Sequence, residues 1–269
     1  STGNLNEKTA KIYADHCLMT KNVTLMNEAN RIFNYLANWE QGDKPIAKMR
    51  NLLISPINMR SALLDLIEKE IQIAKKGYVA SITVKLNSLT DTILLDALYK
   101  AVKAGVKVNL IIRGILTLKR TNEKNAGKIN AISIVDQYLE HARVIIFNNK
   151  GNQKVFISSA DWMVRNLDHR IEVAVPIIDP VIKKELIDII NIQLKDNQKA
   201  RILDAELLNK HVPLVGRKTV RSQEETYQFL INKKYYFKNK FEEGNNLNAV
   251  DEKIWSILHS KIKNLVKEN

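Results

Sequence analysis

An α/β fold, with a mixed sheet flanked by helices, is predicted by three features of the sequence. Tyr78–Leu86 and Val106–Ile112 are apolar runs of strand length, separated by an amphipathic stretch, Asp91–Ala104, that Gly105 closes. A strand–helix–strand unit of this kind predicts a parallel pair with a right-handed crossover. Arg143–Phe147 and Lys154–Ser158 flank the polar string Asn148-Asn149-Lys150-Gly151-Asn152-Gln153, a hairpin signal that adds an antiparallel pair. Asp179-Pro180 then opens a helix running to about Leu194, with proline at a first-turn position where its missing N–H costs nothing.

The remaining elements follow in chain order. Residues 1–13 are small, polar and loop-like. Leu25, Ala29, Ile32, Phe33, Leu36 and Trp39 recur at helical spacing and predict an amphipathic helix over 24–39. Gln41-Gly42-Asp43-Lys44-Pro45 breaks it and marks a boundary. Leu52-Leu53-Ile54 reads as a short strand entering a turn at Ser55-Pro56. Asn58 is the expected cap of the next helix, whose stripe is Leu63, Leu66, Ile67, Ile71 and Ala74, with Gly77 as its stop. Residues 117–130, with Lys119, Arg120, Lys124 and Lys128, read as a mobile basic loop. Ala131–Val135 and Ile171–Val175 are further strands, and a helix is expected near 222–231. Val250, Ile254, Ile257, Ile262 and Val266 lie near one face of a helix over roughly 248–266, suited to docking.

The chain has 269 residues, 45% hydrophobic and 26% charged, enough for a sizeable core. No apolar run reaches the ~20 residues of a membrane helix, and no basic-then-apolar leader is visible. The single cysteine, Cys17, excludes an intrachain disulfide and a cysteine-rich metal site, and reads as a small buried hydrophobe in a reducing compartment. The 42 Lys+Arg against 29 Asp+Glu give a net charge of +13, which predicts a polyanionic partner without choosing one. Lys199, Arg201, Arg217, Lys218 and Arg221 form a basic run, readable as a solvated face or as a path for a charged polymer. The chain opens at Ser1 on Ser-Thr-Gly-Asn, and is expected to be a piece of a longer protein cut inside a motif.

Ligands of open α/β sheets bind beyond the carboxyl ends of strands. After the first predicted strand come Lys85 and Asn87, and after the second Arg113-Gly114. The hairpin's second strand delivers Ser158, Ser159, Asp161 and Trp162, with Arg165, Asn166, Asp168 and Arg170 close behind. His141 and Arg143 stand at the hairpin's start. The spacing fits no zinc site, and no Gly-x-x-x-x-Gly-Lys-Ser/Thr loop occurs. His141-x-Arg143 puts an imidazole and a cation on one face of an extended segment, where they can hold a phosphoryl group while the ring attacks it or moves a proton. The plainer reading is a surface histidine at a strand start. Arg113 pairs either with a carboxylate or with phosphate. Lys85, Asn87, Ser158, Ser159 and Asp161 either end strands and cap turns or shape an anion loop. Trp162 reads as core, and Asp168 and Glu172 as groups orienting Arg170 or His141. His16, His169, His211 and His259 receive no role.

Several strings resemble the C-terminal half of bacterial polyphosphate kinases of the type with a phospholipase-D-like core. They are Asn4-Leu5-Asn6-Glu7-Lys8-Thr9-Ala10-Lys11-Ile12-Tyr13, Leu86-Asn87, Ile112-Arg113-Gly114, Ser133-Ile134-Val135, Tyr138-Leu139-Glu140-His141-Ala142-Arg143, and Ile157-Ser158-Ser159-Ala160-Asp161-Trp162-Met163-Val164-Arg165-Asn166. The resemblance runs from Ser1 to about Tyr227 and stops by about Lys233. It implies two phospholipase-D-like modules sharing one site: a remnant of the first over 1–47, a complete second over 48–230, and a helical extension over 231–269. It further implies transfer of the ATP γ-phosphate to a histidine and on to inorganic polyphosphate, reversibly, with Mg2+ assisting in the full-length enzyme.

Tyr13, Arg113 and His141 are the positions the family assigns to ATP binding, and His141 is the second module's catalytic partner histidine. Lys85, Asn87, Ser158, Ser159, Arg165 and Asn166 are the further phosphate or polyphosphate contacts expected. The phosphorylated histidine and the metal-binding arginines of the family lie upstream of Ser1, so no metal ligand is expected in this stretch and it is expected to turn over no ATP alone. The partners implied are ATP/ADP and polyphosphate, with no nucleic acid, a homo-oligomeric whole protein, and a cytoplasmic location that extends to the periphery of the inner membrane.

Two departures from pattern stand out. Ser1 replaces a glycine common in the family, and position 148, seven after His141, is Asn where a phosphodiesterase His-x-Lys-x-x-x-x-Asp motif has Asp. The amide weighs against the rival phosphodiesterase reading. The other rival, a nucleic-acid-binding module, lacks a recognition-helix or aromatic ribonucleoprotein string.

Overall fold

A computed structural model describes residues 1–38, 49–118, 129–204, 206, 208–214 and 218–242, with side chains 234–242 excepted. In chain order these form α1 Glu7–Ala10, β1 Tyr13–Ala14, α2 Val23–Ala37, β2 Leu53–Ser55, α3 Met59–Lys75, β3 Ser81–Leu86, α4 Thr92–Lys103 and β4 Lys107–Ile112. They continue with β5 Asn130–Ile134, β6 Leu139–Glu140, β7 Val144–Phe147, β8 Lys154–Ser158, β9 Glu172–Pro176, α5 Pro180–Leu194, β10 Ala200–Ile202 and α6 Ser222–Glu242. Residues Ser1–Gln223 make one compact unit.

Eight strands form one sheet in the order β10-β5-β4-β3-β7-β8-β9-β2. The β3–β4 and β4–β5 pairs are parallel and every other pair is antiparallel, so the sheet is mixed as expected. Alternation along each strand divides the core. Ile82, Val84, Ile145, Phe147 and Phe156 face α3 and α4, whereas Val144, Ile146, Val155 and Ile157 face α5. β7 is apolar on both faces because helices cover both. Leu25 and Ile32 of α2 close a third cluster against Leu52 and Ile54.

Local chemistry sets the helix ends. Asp91 accepts from the Leu94 amide at the start of α4, and Asp179 accepts from Val181 and Ile182 at the start of α5. Gly77 and Gly105 take φ of 80° and 92° after α3 and α4, the left-handed exit that favours glycine.

Several sequence expectations are corrected. Asn58 makes no side-chain cap; its Oδ1 accepts from the Ile54 amide at 2.7 Å, tying the turn back to β2. Tyr78 and Val79 are exposed and precede β3 rather than joining it. Cys17 is exposed, not buried. The helix expected near 222–231 extends to Glu242. The short strands β1, β6 and β10 carried no periodic signal. The boundary at 41–45, most of the basic loop (119–128), Trp39, Arg217 and the docking helix at 248–266 lie outside the described residues.

Candidate functional site

The carboxyl ends of β3 and β4 and the segment after β8 are knitted together by backbone. The Gly114 amide donates to the Asn87 carbonyl at 2.7 Å, and the Thr90 and Asp91 amides both donate to the Trp162 carbonyl at 2.9 Å. A Cβ on Gly114 would stand 2.8 Å from the Asn87 carbonyl oxygen, so only glycine allows the two loops to approach this closely. The N-terminal residues join here through a two-stranded parallel ribbon: β1 pairs with β6, and the His141 amide donates to the Ala14 carbonyl at 2.8 Å.

His141 stands at the end of that ribbon. Its Nδ1 lies 3.0 and 3.1 Å from the two carboxylate oxygens of Asp15, and its ring stacks on Tyr13 with centroids 4.4 Å apart at 26°. Thr2 Oγ1 donates to the same carboxylate at 2.6 Å, and a Cβ on Gly3 would clash with it at 2.1 Å. Arg143 Nη1 is also 2.9 Å from Nδ1, which poses a choice of tautomer. A carboxylate only accepts, so Nδ1 carries the proton and donates to Asp15. The two N–H groups of Nη1 have other acceptors, the carbonyls of Thr2 at 2.7 Å and His141 at 2.9 Å. Nε2 is thereby left with its lone pair. Burial, then Arg143, lowers the His141 pKa against the opposing pull of Asp15, with Arg113 adding to the lowering. The balance favours the neutral ring.

Arg143 is not the phosphate-holding cation of a His-x-Arg pair. It is 6% exposed and its Nη2 is paired with Asp161 at 3.0 Å. Asp161 in turn accepts from the amide of Asn87 at 2.8 Å and from that of Ser88 at 3.3 Å. The pair therefore clamps the loops that carry the site.

Most of the further phosphate contacts expected from the sequence are also committed to protein. Lys85 Nζ lies 2.6 Å from Glu140, which also accepts from Gln193 and Gln223. The Asn87 side chain is buried against Asp161 and the His141 carbonyl. Ser158 Oγ accepts from the Ala160 amide at 3.0 Å. Ser159 Oγ donates to Glu172 and accepts from the Val173 amide, and Asn166 donates to Glu172 at 2.7 Å. These bonds brace the loops, although the buried Oδ1 of Asn166 has no partner among the described residues.

Arg165 is exposed at the head of a π-helical turn, Arg165–His169. Arg113 is half-buried, and its Nε is buried without a hydrogen-bond partner among the described residues. Trp162 is wholly buried core.

The sequence reading passed over Asp15 and Arg60. Asp15 lies 126 residues from His141 in the chain, and no local pattern links the two. Arg60 at the start of α3 binds both oxygens of Asp168 and, at 2.7 Å, Asp91. Asp168 is thus spent on Arg60, and Glu172 on Ser159 and Asn166, rather than on Arg170 or His141. Asn148 lies in the hairpin turn, donating to the Val79 carbonyl at 2.8 Å, a whole strand away from His141. Its identity therefore says nothing about phosphodiester chemistry at the site. Among the described residues no group of three or more His, Cys, Asp or Glu side chains is placed to hold a metal ion. With Asp15, Asp161 and Glu172 bound to protein donors, this donor set does not make a magnesium site.

The fold and these loops define an α/β domain with an imidazole, a stacked tyrosine and an arginine whose Nε has no partner among the described residues. Residues 52–223 match polyphosphate kinase C-terminal domain 2, and residues 1–42 match polyphosphate kinase C-terminal domain 1. The chain belongs to the polyphosphate kinase family. It is 48% identical over 229 residues to a polyphosphate kinase of Klebsiella pneumoniae, and 46% identical over 229 residues to one of Escherichia coli K12. Each match covers 85% of this chain and 33% of the relative, so the chain spans about a third of their length. The crystal structure of polyphosphate kinase from Porphyromonas gingivalis superposes with a TM-score of 0.81 at 42% identity, covering 87% of this chain and 36% of that one.

Proposed function

We propose that this chain is the C-terminal part of a polyphosphate kinase and forms one wall of its phosphotransfer site. The observation that carries the reading is the hydrogen bond between Asp15 and His141. It joins the two family segments and leaves Nε2 of the imidazole with its lone pair.

In the reaction, the bond between the γ-phosphorus of ATP and its bridging oxygen breaks. A phosphorus–nitrogen bond forms on a histidine of the preceding module, and the phosphoryl group then passes to the terminal oxygen of polyphosphate. His141 Nε2 accepts a proton from, or returns one to, the phosphate oxygens at the exchanging end. Arg113, whose Nε has no protein partner among the described residues, neutralises charge on those oxygens. Tyr13 holds the imidazole plane by stacking and offers its hydroxyl to the nucleotide. Arg165, exposed on the π turn, is a further phosphate contact. Magnesium supplies charge neutralisation when bound to the nucleotide phosphates. The same reading makes the whole protein a homo-oligomer of the cytoplasm, peripheral to the inner membrane. No helix among the described residues is long and apolar enough to cross a membrane.

The family resemblance puts the phosphorylated histidine in the preceding module, so none of the five histidines here is assigned that role. Incubation of this chain with ATP and magnesium is therefore expected to leave it unphosphorylated, while ATP binds it in an Arg113-dependent way. Acid-labile phosphohistidine on this chain would overturn the assignment.

A further inference from the structure

The opposite end of the sheet has a charge distribution that the site does not explain. Three stretches meet at the amino ends of the parallel strands: 75–80, 103–107 and 148–154. They are held together by the Lys107 amide donating to the Ala80 carbonyl at 3.1 Å, the Asn148 amide to the Ser81 carbonyl at 2.9 Å, and the Asn148 side chain to Val79. These stretches contain six lysines, Lys75, Lys76, Lys103, Lys107, Lys150 and Lys154, and no aspartate or glutamate. All six are exposed. Glu70, which reaches in, is 1% exposed and accepts from the amides of Asn149 and Ser81.

Helix dipoles account for Lys75, Lys76 and Lys103 at the ends of α3 and α4. They do not account for Lys107, Lys150 and Lys154, which belong to strand ends and the hairpin turn. Lys150 is held in the left-handed region, at φ 57°, with its ammonium 4.4 Å from the centre of the Tyr78 ring. A lysine kept at such a backbone angle is a strained choice, and strain of this kind concentrates at functional positions. The strand order β4-β3-β7-β8 spreads these amines in a line over about 15 Å. The line lies roughly 20 Å, one strand length, from His141. Its chemistry is that of a row of point charges for a linear polyanion, with no donor cage for a single ion.

We propose that this lysine row is a second binding surface for inorganic polyphosphate, holding a distal stretch of the polymer whose end occupies the His141 site. The proposal rests on the polyphosphate reading above. Two linked contacts convert the second into an intramolecular event, so a chain long enough to reach both binds more tightly than a short one.

The test compares tripolyphosphate with long-chain polyphosphate on this chain, on the triple variant K107Q/K150Q/K154Q and on R113Q. The unmodified chain is expected to bind the long polymer at least about tenfold more tightly. The triple variant should lose that advantage, lower the salt slope by about 2, and bind tripolyphosphate unchanged. R113Q should weaken tripolyphosphate and retain salt-sensitive binding of the long polymer. Wild-type affinity of the triple variant for long polymer would overturn the lysine row. So would loss of binding to vesicles containing anionic phospholipid with polymer binding intact, which would assign the surface to a bilayer. If the unmodified chain ignores tripolyphosphate but binds long polymer through the lysines, the site reading falls and the lysine row stands.

Discussion

Nδ1 of His141 faces a carboxylate that can only accept, and this decides which ring nitrogen is available for chemistry. Replacing Asp15 by alanine removes the acceptor that holds the proton on Nδ1, so the ring shifts toward the Nε2–H tautomer. Ring-nitrogen NMR should report that change of tautomer, and the His141 pKa should fall further because Asp15 now raises it. Gly3→Ala is expected to act similarly, since the new Cβ would displace the same carboxylate. Burial, the largest cause in each case, also lowers the pKa of His16 and His141, and Lys85 adds to the effect at His16. The unfolded chain takes up protons below the ordinary histidine value of about 6.5, where the folded chain resists them. Stability should therefore be full above that pH and fall as the pH drops through it, a loss reduced in a H16Q/H141Q variant and read from urea midpoints. The carboxylates with lowered pKa, Asp136 and Asp168 beside their arginines, lose their stabilising charge only in more acid solution.

At the scale of elements, the Arg165–His169 turn is the least regular part of the site, and Arg60 is what holds it. π turns are rare and concentrate at functional positions. Here one carries Arg165 and leads to Glu172, and its Asp168 is tied across the fold to α3 and the cap of α4. Arg60→Met leaves Asp91, whose side chain is 2% exposed, without its cation. The expected cost is about 3–5 kcal/mol in urea unfolding. Amide exchange over 163–169 should accelerate. Asp168→Asn, at a more exposed carboxylate, should cost about 1 kcal/mol. Regular elements were legible because periodicity and caps are local: α4 and α5 begin within a residue of their predicted starts. The π turn and the ribbon β1–β6 were not legible, since two-residue strands have no period and a π turn is fixed by its partners. For a related reason the protein partners of Lys85, Ser158 and Asn166 could not be read from the sequence. A polar residue after a strand looks the same in sequence whether it faces a ligand or a carboxylate from a distant segment.

At the scale of the molecule, the two family segments lie in one compact unit up to Gln223. Glu28 of α2 accepts from the Arg50, Asn51 and Leu52 amides; burial pushes its pKa up, and those bonds outweigh it and bring it down. A chain cut to residues 49–242 would leave these amides unpaired and expose Ile54, which is wholly buried in the intact chain. The expected loss is about 3 kcal/mol or more, with hydrophobic-dye binding as the check. It would also remove Asp15 and Tyr13, and with them the orientation of His141.

The sequence by itself determined the mixed α/β class, the order of the long elements, the surplus of positive charge and the strings that mark the family. All of these are properties of neighbouring residues or of composition. Only the tertiary structure decided which polar side chains are spent on one another, that Asp15 orients His141, and that the lysines of three separate stretches line one end of the sheet. Those facts are contacts between residues far apart in the chain, where a buried charge or N–H must find whichever partner the fold brings to it.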